Sequence, residues 1–175
     1  MSIKQAKTAK REKLNLGAGD WHIDGYKSID IDDVDLHVHP WPWKDNSIEA
    51  IYAGHILEHF DRGDGVKFLS ECYRILRPEG ALEIAVPDMD IFAECIITGD
   101  WGQVCGYQWK SLDRFMGGDE SEINLLQRHR YMYCWASLAW TLKEIGFETV
   151  ERISKRREID NPAYAAISLH VLAVK

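Results

Sequence analysis

Short apolar runs alternate with stretches of helical period along this chain, and that alternation limits its fold more than any other feature. Lys13-Leu14-Asn15-Leu16-Gly17 reads as a strand ending in Gly-Ala-Gly. Tyr26 to Ile31 is a second strand followed by acids, Val34 to Val38 a third, and Ala50 to Ala53 a buried fourth. From Gly65 to Leu76 apolar residues fall at Val66, Phe68, Leu69, Cys72, Tyr73, Ile75 and Leu76, the spacing of a helix face. Arg77-Pro78-Glu79-Gly80 ends that helix, because proline cannot continue it and glycine takes the turn. Ala81 to Val86 alternates as a fifth strand, and Asp88 opens a helix to about Ile97. Trp135 to Ile145 is helical and stopped by Gly146; Phe147 to Ile153 and Ile167 to Val174 are the last two strands.

Strands alternating with helices predict an α/β fold, a Rossmann-like open and mostly parallel sheet. The two late strands lack a helix between them, so the last is expected to insert antiparallel. Only Ala18 to Tyr26 separate the first two strands. That is too short for a full crossover helix, so the first crossover helix is shortened to one turn or missing. In such sheets ligands bind beyond the carboxyl ends of the first strands.

The 175 residues are 46% apolar and contain seven Trp, seven Tyr and five Phe, which excludes a disordered chain. We expect one domain over residues 13–175, preceded by a basic, mobile arm over 1–12 and carrying a cover segment over 98–131. Glycines make that segment flexible, and Trp101, Tyr107, Trp109 and Phe115 make it adhesive. The net charge of −7 argues against duplex nucleic acid as a partner. No apolar run approaches the 18 or so residues of a membrane span. Cys72, Cys95, Cys105 and Cys134 contain no Cys-x-x-Cys pair, and no secretory pattern opens the chain, so reduced thiols and a cytoplasmic location are expected.

Chemistry is expected first at Gly17-Ala18-Gly19, where missing side chains let backbone approach a ligand. Asp30, at the end of the second strand, can accept both hydroxyls of a ribose. Asp35 with Leu36 is placed to meet an adenine, whereas Asp32 and Asp33 read as a solvated loop.

Leu14–Gly19, Asp30, Pro40-Trp41-Pro42-Trp43 with Asp45-Asn46-Ser47, His55-Ile56-Leu57-Glu58-His59 and Arg74–Asp88 occur in an order that resembles class I S-adenosylmethionine-dependent methyltransferases. The resemblance covers roughly residues 13–175 and is closest to a small subgroup with a PWPF-then-DNS segment. It implies a seven-stranded sheet with the last strand antiparallel, and S-adenosylmethionine as cofactor. It further implies that Gly17, Ala18 and Gly19 contact the methionine part and ribose, Asp30 holds the diol, and Asp35 and Leu36 frame the adenine. Ala53, Gly54 and His55 would face the sulfonium and the acceptor. The chain departs from the Gly-x-Gly-x-Gly form of the motif, carrying Trp21 at the third glycine position.

A sulfonium leaves readily, so such an enzyme mainly aligns the acceptor and excludes water. His55 and His129 are the candidates to orient the acceptor or take its proton, with Arg128 and Arg130 able to pair an anionic substrate. The acceptor is expected to be a small molecule or peptide.

Three strings compete with this reading. His55-Ile56-Leu57-Glu58-His59 spells the H-x-x-E-H of some zinc hydrolases. It follows directly on a buried strand and has no evident third ligand, so no metal is expected and Glu58 and His59 read as structural. His37 and His39 read as a polar edge entering the PWPW loop. Asn161-Pro162-Ala163-Tyr164 resembles an amino-methyltransferase motif displaced to the wrong strand, and reads as a turn. A non-catalytic module that only holds S-adenosylmethionine or a nucleoside is the main functional alternative to the enzyme.

Overall fold

The computed structural model describes residues 12–99, 128–154, 159–162 and 167–175. Its strands are β1 (Glu12–Leu16), β2 (Lys27–Ile29), β3 (Ile48–Gly54), β4 (Leu76–Pro87), β5 (Thr149–Arg152) and β6 (Ser168–Val174). They form one six-stranded sheet in the order β2-β1-β3-β4-β6-β5. The first four run parallel, and β6 lies antiparallel between β4 and β5. The α-helices among the described residues are α1 (Arg62–Ile75), α2 (Met89–Thr98) and α3 (Trp135–Ile145); a 3-10 turn spans Leu57–His59.

This is the expected Rossmann-like architecture, with six strands among the described residues, not seven. Val34 to Val38, expected as a strand, is a chain of turns. The Asp30 carbonyl accepts the amides of Asp33 and Val34, the Asp33 carboxylate accepts the Asp30 amide, and Asp35 Oδ1 accepts the His37 amide. Turn carbonyls take the Val34 and Val38 N–H groups and the Asp35 carboxylate takes that of His37, so these groups are lost to a strand ladder. Leu36 is still buried against Trp41, so its hydrophobicity signalled core rather than strand. Arg77 to Gly80, read as a helix stop, belong to the start of β4.

Each face of the sheet has its own chemistry. On one, Leu14, Leu16, Ile51, Ala53, Leu82, Ile84, Val86, Leu169, Val171 and Ala173 are buried with Phe68, Leu69, Cys72 and Ile75 of α1 and Leu138 and Leu142 of α3. A fully buried side chain of this size is worth about 1.5–3 kcal/mol, so this layer holds the domain together. Asp61 caps α1 by accepting the Asp64 amide at 2.9 Å. The opposite face carries the register row Asn15, Tyr52 and Glu83, all buried. Loops cover Tyr52 there, through Ile23 and Ile159. Burial pushes the Tyr52 hydroxyl well above its usual pKa, and Asp160, 3.1 Å away, adds to the rise.

The β1–β2 connection holds no helix, as expected. Trp21 takes over the job of holding it. Its indole Nε1 donates to the Ile159 carbonyl at 2.7 Å, and its own carbonyl accepts from Asn15 Nδ2 at 2.7 Å. The departure from the glycine motif at this position is thus an anchor for the shortened loop.

The tryptophans of PWPW pack as expected: Trp41 is buried beside Phe68. Arg74 clamps the same loop, donating to the carbonyls of Trp41 and Trp43 and to Asp45 and Glu71. Cys72 and Cys95 are buried, and Cys134 is half-buried. Residues 1–11, Cys105, Ala163, Tyr164 and positions 100–127 of the expected cover segment lie outside the described residues. No described helix is long and apolar enough to cross a membrane.

Lys175 closes the carboxyl end of α1. Its Nζ donates to the carbonyls of Tyr73 at 2.6 Å and Leu76 at 2.8 Å, and to Asn46 Oδ1 at 2.8 Å. Hydrogen bonds from a charged donor contribute about 1.5–3 kcal/mol. Lys175→Met should therefore lower the melting temperature by roughly 3–12 °C at this size, measured by circular dichroism. An unchanged melt would show that solvent replaces these contacts at no cost.

Candidate cofactor and acceptor site

The carboxyl ends of β1, β2 and β3 meet at one edge of the sheet. β1 ends at Leu16, and Gly17 turns the chain with φ +64°. A Cβ at Gly17 would lie 2.1 Å from Ile56 Cδ1 and 2.9 Å from Ile56 Cβ. The position is therefore a cradle that only glycine leaves open. The Gly17 and Ala18 amides both bind the Ile29 carbonyl, which fastens the loop to β2.

Asp30 directly follows β2. Its Oδ2 accepts the Gly19 amide at 2.7 Å and its Oδ1 accepts the Ile31 amide at 2.7 Å. A carboxylate offers about four acceptor positions. Two are used, and one on each oxygen is left, which is the pattern a vicinal diol requires. The sequence-predicted residues Gly17, Ala18, Gly19 and Asp30 are thus brought together. Asp35 and Leu36 sit further along the turns: Leu36 is buried in the core, and the exposed Asp35 carboxylate binds the His37 amide.

His55 follows β3 with φ +53°, a backbone conformation uncommon outside glycine that clusters at functional sites. Its amide binds the Ala85 carbonyl. Its ring bridges two elements, with Nδ1 3.1 Å from Glu58 Oε1 and Nε2 2.8 Å from Ser168 Oγ. Both ring nitrogens are engaged, so this ring positions its neighbours.

Glu58 is the buried centre of this region, its side chain 1% exposed. Burial works to raise its carboxyl pKa. The His55 hydrogen bond and the nearby rings of His59 and His129 outweigh that effect and hold it below the ordinary value. The Glu58 carbonyl accepts the amides of Arg130 and Tyr131, which draws the 128–131 segment onto the 3-10 turn. His129 Nε2 consequently sits 4.0 Å from Glu58 Oε1, and the His59 and His129 rings meet edge to face at 5.2 Å.

Glu58 and Ser168 are the residues that sequence reasoning missed as partners of the site. Glu58 was visible inside HILEH but read as structural. Ser168 had no local signal, because only the antiparallel insertion of β6 brings it to His55. The H-x-x-E-H arrangement of a zinc hydrolase is not formed, since the His55 ring is held by Glu58 and Ser168 while His59 faces His129.

Residues 3–84 match the family model described as a methyltransferase domain. No curated protein sequence matches the chain. Among solved structures, a Thermotoga maritima S-adenosylmethionine-dependent methyltransferase, described as a possible histamine N-methyltransferase, is 15% identical with a TM-score of 0.55; the match covers 94% of this chain and 82% of that one. An Archaeoglobus fulgidus S-adenosylmethionine-dependent methyltransferase is 12% identical, TM-score 0.56, covering 94% and 86%. The Burkholderia thailandensis 1,6-didemethyltoxoflavin N1-methyltransferase, solved with that substrate and S-adenosylhomocysteine, is 14% identical, TM-score 0.54, covering 94% and 72%. The methyltransferase-domain match lies over residues 3–84, and the chain shares its fold with S-adenosylmethionine-dependent methyltransferases over nearly its whole length.

Proposed function

We propose that this chain transfers the methyl group of S-adenosylmethionine to a small-molecule or peptide acceptor that approaches from the side of His129. The observation that carries the reading is Asp30, with one free acceptor position on each carboxylate oxygen, beside the glycine-only turn at Gly17. S-adenosylmethionine supplies a methyl group on a sulfonium, an electrophile that needs no activation by the protein. In this reading the backbone of Gly17, Ala18 and Gly19 meets the methionine part and ribose, Asp30 takes the ribose diol, and Asp35 and Leu36 flank the adenine. Ala53, Gly54 and His55 border the sulfonium. His55 acts as a positioning residue through Glu58, and His129 touches the acceptor. The Burkholderia enzyme, which holds a small heterocycle and S-adenosylhomocysteine on the same fold, supports a small-molecule acceptor.

Calorimetry with S-adenosylhomocysteine tests the cofactor half: saturable one-to-one binding is expected below about 1 mM, a free energy beyond roughly −4 kcal/mol. No binding at that concentration would remove the reading. The acceptor half is tested by His129→Ala. Cofactor affinity should stay within about threefold, while transfer to an acceptor found by screening falls at least tenfold, over about 1.4 kcal/mol. A fall in melting temperature that tracks the fall in turnover would assign His129 to packing. A module that holds the cofactor without transfer is the second reading, favoured by the helix-free β1–β2 connection. Tight binding with no transfer to any acceptor would select it.

A further inference from the structure

We propose that Glu58, His59 and His129 form a binding site for a divalent transition-metal ion of the zinc type. The carboxylate and one nitrogen of each ring lie within 4.8 Å of one another. Ligand atoms around a four-coordinate zinc, at about 2.0–2.1 Å from the ion, are roughly 3.3 Å apart. Closing the cluster onto an ion thus shortens its longest separation by no more than about 1.5 Å, within reach of χ rotations.

A second observation points independently to a ligand. Glu58 Oε2 is buried and has no hydrogen-bond partner among the described residues, while Oε1 of the same carboxylate is engaged by His55. A buried carboxylate oxygen without a donor is costly. His129 Nε2 stands 4.0 Å from Glu58 Oε1, beyond hydrogen-bond distance.

The donor set decides the class of ion. Two imidazoles and one carboxylate suit zinc, cobalt, nickel, iron or manganese, whereas magnesium and calcium want an all-oxygen shell. Supporting contacts of the kind that orient metal ligands are in place. His55 Nδ1 lies 3.1 Å from Glu58 Oε1, and His59 Nδ1 lies 3.4 Å from the Arg128 carbonyl. Three protein ligands leave at least one position for water or a ligand oxygen. This set differs from H-x-x-E-H, because Glu58 is a ligand here and His55 is not. The third ligand, absent from the neighbourhood of HILEH in sequence, arrives on the segment that pairs with the Glu58 carbonyl.

The test uses the full chain, stripped with a chelator and titrated with zinc chloride by calorimetry and with cobalt(II) by visible absorption. One ion per chain is expected, unaffected by millimolar magnesium. His59→Ala and His129→Ala should each weaken it about a hundredfold, and Glu58→Gln at least tenfold. His22→Ala, an exposed imidazole hydrogen-bonded to Ser28, should bind as the parent does. Far-ultraviolet circular dichroism of the stripped variants shows that they fold; if Glu58→Gln does not, the two histidine variants carry the result. No saturable zinc binding, or stoichiometric binding that survives both histidine substitutions, would overturn the site. S-adenosylhomocysteine affinity of the stripped protein is measured alongside, so loss of the metal site and loss of the cofactor reading are separate outcomes.

Discussion

Gly17→Ala should destabilise the protein by about 2–4 kcal/mol, a fall of roughly 5–15 °C in melting temperature at this chain length. Two costs combine. The backbone sits at φ +64°, where an L side chain pays about 1 kcal/mol. The new methyl would also lie 2.1 Å from Ile56 Cδ1 and 2.9 Å from its Cβ, so Ile56 must leave its position at the foot of the 3-10 turn. Overpacking of this kind costs about 1–3 kcal/mol. Because Ile56 immediately follows His55, the displacement also reaches the His55 ring and its contacts with Glu58 and Ser168. Gly19→Ala is the control. Its φ is +47°, but a Cβ there meets nothing within 4 Å, so only the backbone cost of about 1 kcal/mol applies. Equal melting temperatures for the two variants would show that Ile56 yields freely and that Gly17 is not a steric cradle.

That contrast shows how far a sequence can be read. Both glycines were visible as a turn after β1, because Gly-x-Gly after an alternating run has a direct backbone meaning. Which of the two is crowded depends on Ile56, whose approach is decided by the crossover from β3. The strands, the helix boundaries at Trp135 and Gly146 and the antiparallel last strand were legible for the same reason: hydrophobic period and breakers are local signals. The false strand at Val34 to Val38 failed where side-chain carboxylates compete with the ladder. A hydrophobic pattern does not register Asp33 and Asp35 as hydrogen-bond acceptors for the backbone.

The site divides in the same way. The group at the ends of β1 and β2, Gly17, Ala18, Gly19 and Asp30, is made of near neighbours in sequence, and their meeting was legible from a strand, a glycine turn and a following acid. The group around Glu58 is made of long-range pairings. His55 finds Ser168 across β4, and Glu58 gathers His129 through main-chain bonds to Arg130 and Tyr131. His129 was singled out from its place between two arginines, but its partner Glu58 was not. Burial is what turned an apparently structural glutamate into the charged centre of the region.

Asp30→Ala should weaken S-adenosylhomocysteine binding at least about tenfold, and by a hundredfold or more if both contacts are lost. Two charge-assisted hydrogen bonds to a ribose are worth about 1.5–3 kcal/mol each. The smaller end of the range applies if water takes over one of them. The substitution also removes the acceptor of the Gly19 amide, so part of the loss comes from a looser loop in the unliganded protein. Asp30→Asn separates the two effects. Its side-chain oxygen still accepts the Gly19 amide, but it lacks the charge and sets an amide NH2 where Oδ1 accepts the Ile31 amide. If the diol contact dominates, Asn should lose nearly as much affinity as Ala while melting closer to the parent than Ala does. If loop order dominates, Asn should bind almost as tightly as the parent and Ala alone should fall. Unchanged affinity in both variants would take Asp30 out of the cofactor site, and with it the observation on which methyl transfer rests.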